Sequence, residues 1–341
     1  MSRSMTDVPV LMVFFNREEP LKQVFEAVKK ARPSKLFLAQ DGARKGNITD
    51  EENIKKCREA VSLIDWECEV YYNYSEENLG CGKRMSSAIS WAFEYVDRLM
   101  ILEDDCVPGE DFFPFCEELL EKYKDDERIS MISAMNHLET YNNYTRDSYI
   151  FCNSGAIWGW ATWKRQWDMY DFEIGFMDKE YVFDKAKNTN YPKYYRDDVI
   201  TTGKARTNTL RSGKRLSSWA FQFRIIGILN HQMSIVPSVN LVSNVGLTND
   251  STHASGDIKL IPKGLRSVFF MPIHKMEFPL KHPTFTYCDD FFDRKVWRLM
   301  GMQKHVRIYR RIESIVRRIL FGGIKETEKM ARKAMKRISR R

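Results

Sequence analysis

The stretch that most constrains this chain is RLMILEDDC, residues 98–106. Four consecutive apolar residues, 99–102, follow a charged pair and stop at three acids, Glu103, Asp104 and Asp105. An apolar run this short, bounded by charge, reads as a strand buried on both faces. Such strands belong to sheets covered by helices, and the acids then sit at the strand's carboxyl end. That edge is where open α/β sheets bind ligands, and adjacent carboxylates there can hold a hard divalent cation against a phosphate. Alone, the triplet is better read as solvated charge ending a strand.

The neighbouring elements add context. Residues 8–15, VPVLMVFF, form a first buried strand, and NREEP turns into a helix with Leu21, Val24, Phe25 and Val28 at helical spacing. Residues 35–40, KLFLAQ, give a second strand ending in Asp41-Gly42, followed by a helix over 50–64 and a third strand over 68–72. NLGCGKR (78–84) then supplies a glycine loop before an amphipathic helix over 85–96, which leads into the acidic strand. This alternation predicts an α/β fold, a Rossmann-like and mainly parallel central sheet flanked by helices with right-handed crossovers. No G-x-G-x-x-G follows the first strand, and neither a Walker A sequence nor a kinase signature is present. A diphosphate would therefore be neutralised through a metal at Asp104 and Asp105, helped by Arg17 and by Lys83 or Arg84.

With 341 residues, 43% hydrophobic and 13% aromatic, the chain can bury a full core and is not a disordered segment. No apolar run approaches the roughly 20 residues of a membrane span, and MSRSMTD is not a signal peptide, so a cytoplasmic location is expected. The seven cysteines show no CxxC pair or zinc spacing and read as reduced and mostly buried. The net charge of +8 is unevenly placed. Residues 304–341 hold fourteen Lys and Arg against Glu313, Glu326 and Glu328, a net of +11, and +8 less +11 leaves −3 for the rest. Nucleic-acid binding by the body is therefore not expected.

The order FFNREEP, LAQDG, the Gly-Lys-Arg loop and helix, MILEDDCVPGEDFFPF and ISMISAMN (129–136) resembles the donor-binding half of GT-A fold glycosyltransferases. Within them it is most similar to the N-acetylglucosaminyltransferase I branch and related bacterial surface-glycan sugar transferases. That branch carries EDD rather than the commoner DxD, and a short acidic-aromatic segment leads into its next helix, as residues 108–115 do here. The resemblance covers residues 8–165, with a weaker echo to about 253. It implies a nucleotide-sugar donor, UDP-linked, and a divalent cation, Mn2+ or Mg2+. By position, Arg17 and Asp41 would contact the nucleotide, Asp41 at the base or ribose. Asp104 would bind the ribose or diphosphate and Asp105 would be the direct metal ligand; Glu103, Lys83 and Arg84 are further donor-binding candidates read from the residues. Read from the residues alone, Arg17 is also a surface charge at a helix start, and Asp41-Gly42 is also a turn.

Residues 148–167 are dense in Trp and Gly, a combination suited to packing on a sugar face, and the resemblance assigns Trp158, Gly159 and Trp160 to the donor sugar. Trp163 and Trp167 serve equally as core. Residues 168–215 are charged and helical, with one helix over 194–210, and residues 217–232 read as an amphipathic helix. Where the branch carries Trp-Asp, its Asp acting as general base, this chain has Trp219-Ala220. Alanine cannot take a proton, which leaves the base unassigned and the inverting outcome open. His253, in a Ser-Thr-His turn, is the candidate second metal ligand or proton acceptor, and equally a surface residue.

Residues 255–290 are proline-rich without a period and read as an irregular wrap. The tail then sets Tyr309, Ile312, Ile315, Val316, Ile319 and Leu320 on one face, opposite Arg307, Arg310, Arg311, Arg317 and Arg318, before Gly322-Gly323 and a second basic helix. A basic amphipathic helix lies flat on anionic lipid; the other reading is a helix docked on the body or on RNA. The expected organisation is a glycosyltransferase domain over 1–295, with a nucleotide-binding half (8–135) and a sugar and acceptor half (136–295), and a helical tail over 296–341. The expected function is transfer of a sugar to a hydroxyl of a lipid-linked oligosaccharide or growing surface glycan, at the inner face of the membrane. Two rivals remain. A sugar nucleotidyltransferase needs a glycine-rich, Arg-containing loop after the first strand, which FFNREEP is not. A non-catalytic glycan- or nucleotide-sugar-binding protein is kept open by Ala220.

Overall fold

VLMVF contains no polar residue and two valines, and it forms β1 (Val10–Phe14), buried along its whole length. The computed structural model describes residues 5–142, 146–189, 191–247 and 258–322. From β1 the chain runs through α1 (Glu18–Ala31), β2 (Lys35–Gln40), α2 (Ile48–Ala60), β3 (Glu69–Tyr74), α3 (Gly80–Ala92) and β4 (Arg98–Glu103). It continues through β5 (Cys106–Pro108), α4 (Phe112–Lys122), β6 (Ile129–Ser133), β7 (Tyr149–Cys152), β8 (Trp160–Trp163) and α5 (Lys164–Trp167). Then come α6 (Glu180–Lys187), α7 (Lys193–Arg211), α8 (Ala220–Leu229), β9 (Met233–Pro237), β10 (Val242–Asn244), α9 (Lys263–Arg266), α10 (Asp290–Leu299) and α11 (Lys304–Phe321).

Eight strands make one sheet in the order β3-β2-β1-β4-β8-β6-β9-β7, and β10 pairs with β5 in a small second sheet. The first four strands are parallel, as the alternation predicts, and β8 enters antiparallel between β4 and β6. Helices cover both faces. Val10, Met12 and Phe14 point into a core shared with α1 and α4, whereas Leu11 and Val13 point to α3 and α8. The chain steps outward from β1 to β3 and returns through α3 to β4 on the other side of β1. Val13 lies opposite Glu103. The strand order therefore reverses between β1 and β4, and a crevice opens beyond their carboxyl ends.

Three elements differ from the sequence expectations. NLGCGKR is not a free loop, because α3 begins at Gly80; the carboxylate of Asp41 accepts the N–H groups of Leu79 (2.8 Å) and Gly80 (2.9 Å) and so caps the helix from another strand. The helix within 217–232 is shorter and not amphipathic in place: α8 is buried on nearly every side between two cores. α10 runs across the 295/296 position, with Phe292, Val296 and Trp297 buried in the body. All seven cysteines are free.

Candidate active site

The end of β1 and the end of β4 deliver opposite charges to the same place. Arg17, the residue before α1, sends one Nη to Asp104 Oδ1 and, at 2.9 Å, to Asp105 Oδ2; its other Nη is 3.5 Å from the Gly246 carbonyl. Asp104, 5% exposed, also accepts the Phe15 N–H at 3.3 Å. Asp105 Oδ1 faces Asn244 Nδ2 at 3.3 Å, on the β10 strand that pairs with β5. At Gly246 the backbone passes so close that a β-carbon would stand 1.9 Å from Asp105 Oδ2, so any side chain there would displace the Asp105 carboxylate.

The triplet carries more negative charge than Arg17 cancels. Burial, then the charges of Asp105 and Asp104, push the Glu103 carboxyl up to about 8. Burial also raises Asp104, against the pull of Arg17. Burial opposes the Arg17 cation, but Asp104 and Asp105 more than offset it and hold its pKa above the ordinary value. Such a site favours a further cation.

A cleft of about 540 Å³ opens here, lined by Arg17, Asp41, Arg84, Glu103 and Asp104 among others. Asp41 reaches it, yet its carboxylate is taken: it accepts from the N–H groups of Gly42, Leu79 and Gly80 and from Asn78 Nδ2 at 3.2 Å. A β-carbon at Gly42 would meet the Glu77 backbone at 2.6 Å. The Asp41 carboxylate therefore latches β2 to the start of α3, and the turn lies further on, at residues 45–46. Arg84 is 4% exposed and donates to Asn73 Oδ1 and O on β3, with no carboxylate in ion-pair range among the described residues and its Nε unpartnered. Lys83, about 100° round α3, is exposed and does not line the cleft.

No family model matches the chain, and no curated protein matches it. Among solved structures it is similar to UDP-glucose pyrophosphorylase complexed with UDP-glucose, at 9% identity over 65% of this chain and 97% of that one, with a TM-score of 0.29. A likeness that distant carries no argument about the site, which rests on its own geometry.

The tryptophan segment divides. Trp160, in β8, is fully buried and stacked on Trp219 (ring centroids 5.4 Å apart), so it is core rather than a sugar platform. Trp163 and Trp167 are core as well. Gly159, at φ +63°, packs on Val242. Trp158 does face a cavity, but a second one of about 360 Å³ shared with Ala220, Phe223 and Trp297. Among the described residues that cavity has no carboxylate in its wall, and its imidazole is His137, which the sequence reading missed although it follows β6 by four residues. Burial drives the His137 pKa down to about 4, and its Nδ1 has no partner among the described residues. His253 lies outside the described residues.

For a metal, the donors at the acidic end are hard oxygens, which suit Mg2+ or Mn2+. They do not form a closed cage. Among the described residues, the one grouping of three ligand atoms within 4.8 Å of one another is Cys288, Asp290 and Asp293. There, however, the buried Asp293 carboxylate already accepts from the Asn153 N–H and Nδ2 (3.0 Å each), Ser154 Oγ (2.6 Å) and Cys288 Sγ (3.2 Å). Burial keeps the Cys288 thiol protonated. This cluster is a latch fixing residues 153–154 to α10. The acidic triplet fits the other mode, in which one or two carboxylates hold an ion whose remaining ligands are substrate phosphates and water.

Proposed function

We propose that the protein is a GT-A type glycosyltransferase that takes a sugar from a nucleoside diphosphate donor, UDP-linked, and delivers it to a hydroxyl of a lipid-linked or growing surface glycan at the inner face of the membrane. The observation that carries this reading is the acidic end of β4, where Asp104 is buried and Arg17 is the cation paired with Asp104 and Asp105 among the described residues, opening on a cleft that also holds Arg84. Asp105 and Asp104 would hold a divalent cation, which would supply positive charge against the leaving diphosphate. Arg17 exchanges Asp105 for a phosphate oxygen, and Arg84 supplies a second fixed cation. Trp158, with the cavity beside it, forms the acceptor side, and neutral His137 is the candidate proton acceptor where Ala220 cannot serve. The glycosyltransferase domain in this reading runs through α10, past the expected boundary at 295, and the helical tail begins with α11.

Calorimetric titration with UDP, GDP and dTDP, each with and without Mn2+, tests it. UDP should bind best and more tightly with the metal, and Asp105→Asn should lose that metal-dependent gain together with about a hundredfold or more in turnover. Equal UDP affinity with and without Mn2+ in both proteins would exclude the metal role of Asp105.

A further inference from the structure

Helix α11 is attached to the body by its charged side. Arg310 donates to the Leu299 carbonyl and lies so close to Gly264 and Gly301 that a β-carbon at either would stand 2.8 or 2.9 Å from its guanidinium. Glu313 accepts the Lys263 N–H at 2.9 Å and Arg317 Nε at 2.6 Å. Arg307 reaches Asp198 on α7 at 3.2 Å. Positions 307, 310, 313 and 317 form one inward stripe.

The opposite stripe is apolar and open. Ile308, Ile312, Ile315, Val316, Ile319 and Leu320 are between 43% and 67% exposed, and no residue of α11 is buried. An amphipathic helix folded onto its own domain turns such a face inward, because removing apolar surface from water stabilises it. Here the domain holds the helix the other way round, so the cover comes from outside. The face is flanked by Lys304, Arg311 and Arg318, and residues 323–341 add eight Lys and Arg against Glu326 and Glu328. A second copy laid across it would bring these cations against their like. A bilayer carrying anionic headgroups satisfies both the apolar stripe and its cationic border. No helix among the described residues is long and apolar enough to cross a membrane, so α11 would lie in the surface, about 27 Å along it.

We propose that the outer face of α11 is a preformed anchor for an anionic bilayer, and that its rigid seat against α7, α9 and the end of α10 fixes how the body stands on the membrane. This rests on the membrane location proposed above but not on the reaction. The test is flotation of the full chain with vesicles of equal parts phosphatidylcholine and phosphatidylglycerol, and with phosphatidylcholine alone. The wild type should float with the anionic vesicles. The exposed double variant Ile312→Asp with Ile319→Asp should lose about tenfold or more in partitioning while keeping UDP affinity. Arg310→Ala should still float but lose hydrogen-exchange protection over residues 263–266 and 299–303. Flotation of the double variant like wild type would overturn the anchor. So would a wild-type dimer that fails to float and that the double variant dissolves. Unchanged exchange in Arg310→Ala would overturn the rigid seat. Loss of UDP binding in every protein would instead count against the reaction.

Discussion

At the scale of single residues, the side chains that the sequence exposed were those whose type and place have one physical use. Arg17 directly after a buried strand and acids directly after another are brought together because adjacent parallel strands end side by side. His137 had a weaker signal, a polar residue just past the end of a buried strand, and only the enclosure of its Nδ1 in the cavity wall distinguishes it. Its pKa gives a signed prediction. The folded value is lowered to about 4, and the unfolded chain takes up its proton near the ordinary 6.5, so stability falls as pH drops through that window and is unaffected above it. The loss is at most about 3 kcal/mol. Urea unfolding at about pH 7 and about pH 4.5 should show that His137→Asn loses less on acidification than wild type; identical losses would mean that this imidazole is not held neutral.

Elements were legible in existence and less so in their ends. Every strand and helix up to β4 was readable from apolar period, yet α3 starts five residues earlier than its pattern suggests. Its cap is Asp41, some forty residues away, and a long-range cap has no local signature. The same blindness applies to the tryptophans: β8 is a strand flanked by helices on both faces, so alternation sends Trp160 to one core and Trp163 to the other, leaving only Trp158, before the strand, at a cavity. Asp41→Asn keeps the shape but turns one acceptor into a donor facing N–H groups. It should cost about 1–3 kcal/mol of stability and lower the melting temperature without ligand. An unchanged melting temperature with weakened nucleotide binding would restore Asp41 as a direct ligand contact.

For the whole molecule, strand order is what turns separate motifs into a site. The reversal between β1 and β4 places Arg17 against Asp104 and Asp105, and the return of the chain through β10 closes Gly246 and Asn244 over them. The charge division between body and tail was visible in the sequence, and so was the apolar face of α11; which face meets the body depends on side-chain contacts with α7 and α9 that no periodicity reveals. The reaction itself is tested most directly by the nucleotide released. Incubated with UDP-sugars, Mn2+ and a glycan acceptor pool, the protein should release UDP, and Asp105→Asn should release about a hundredfold less. Release of UTP when pyrophosphate is supplied, with no UDP under any condition, would contradict glycosyl transfer and identify a nucleotidyltransferase.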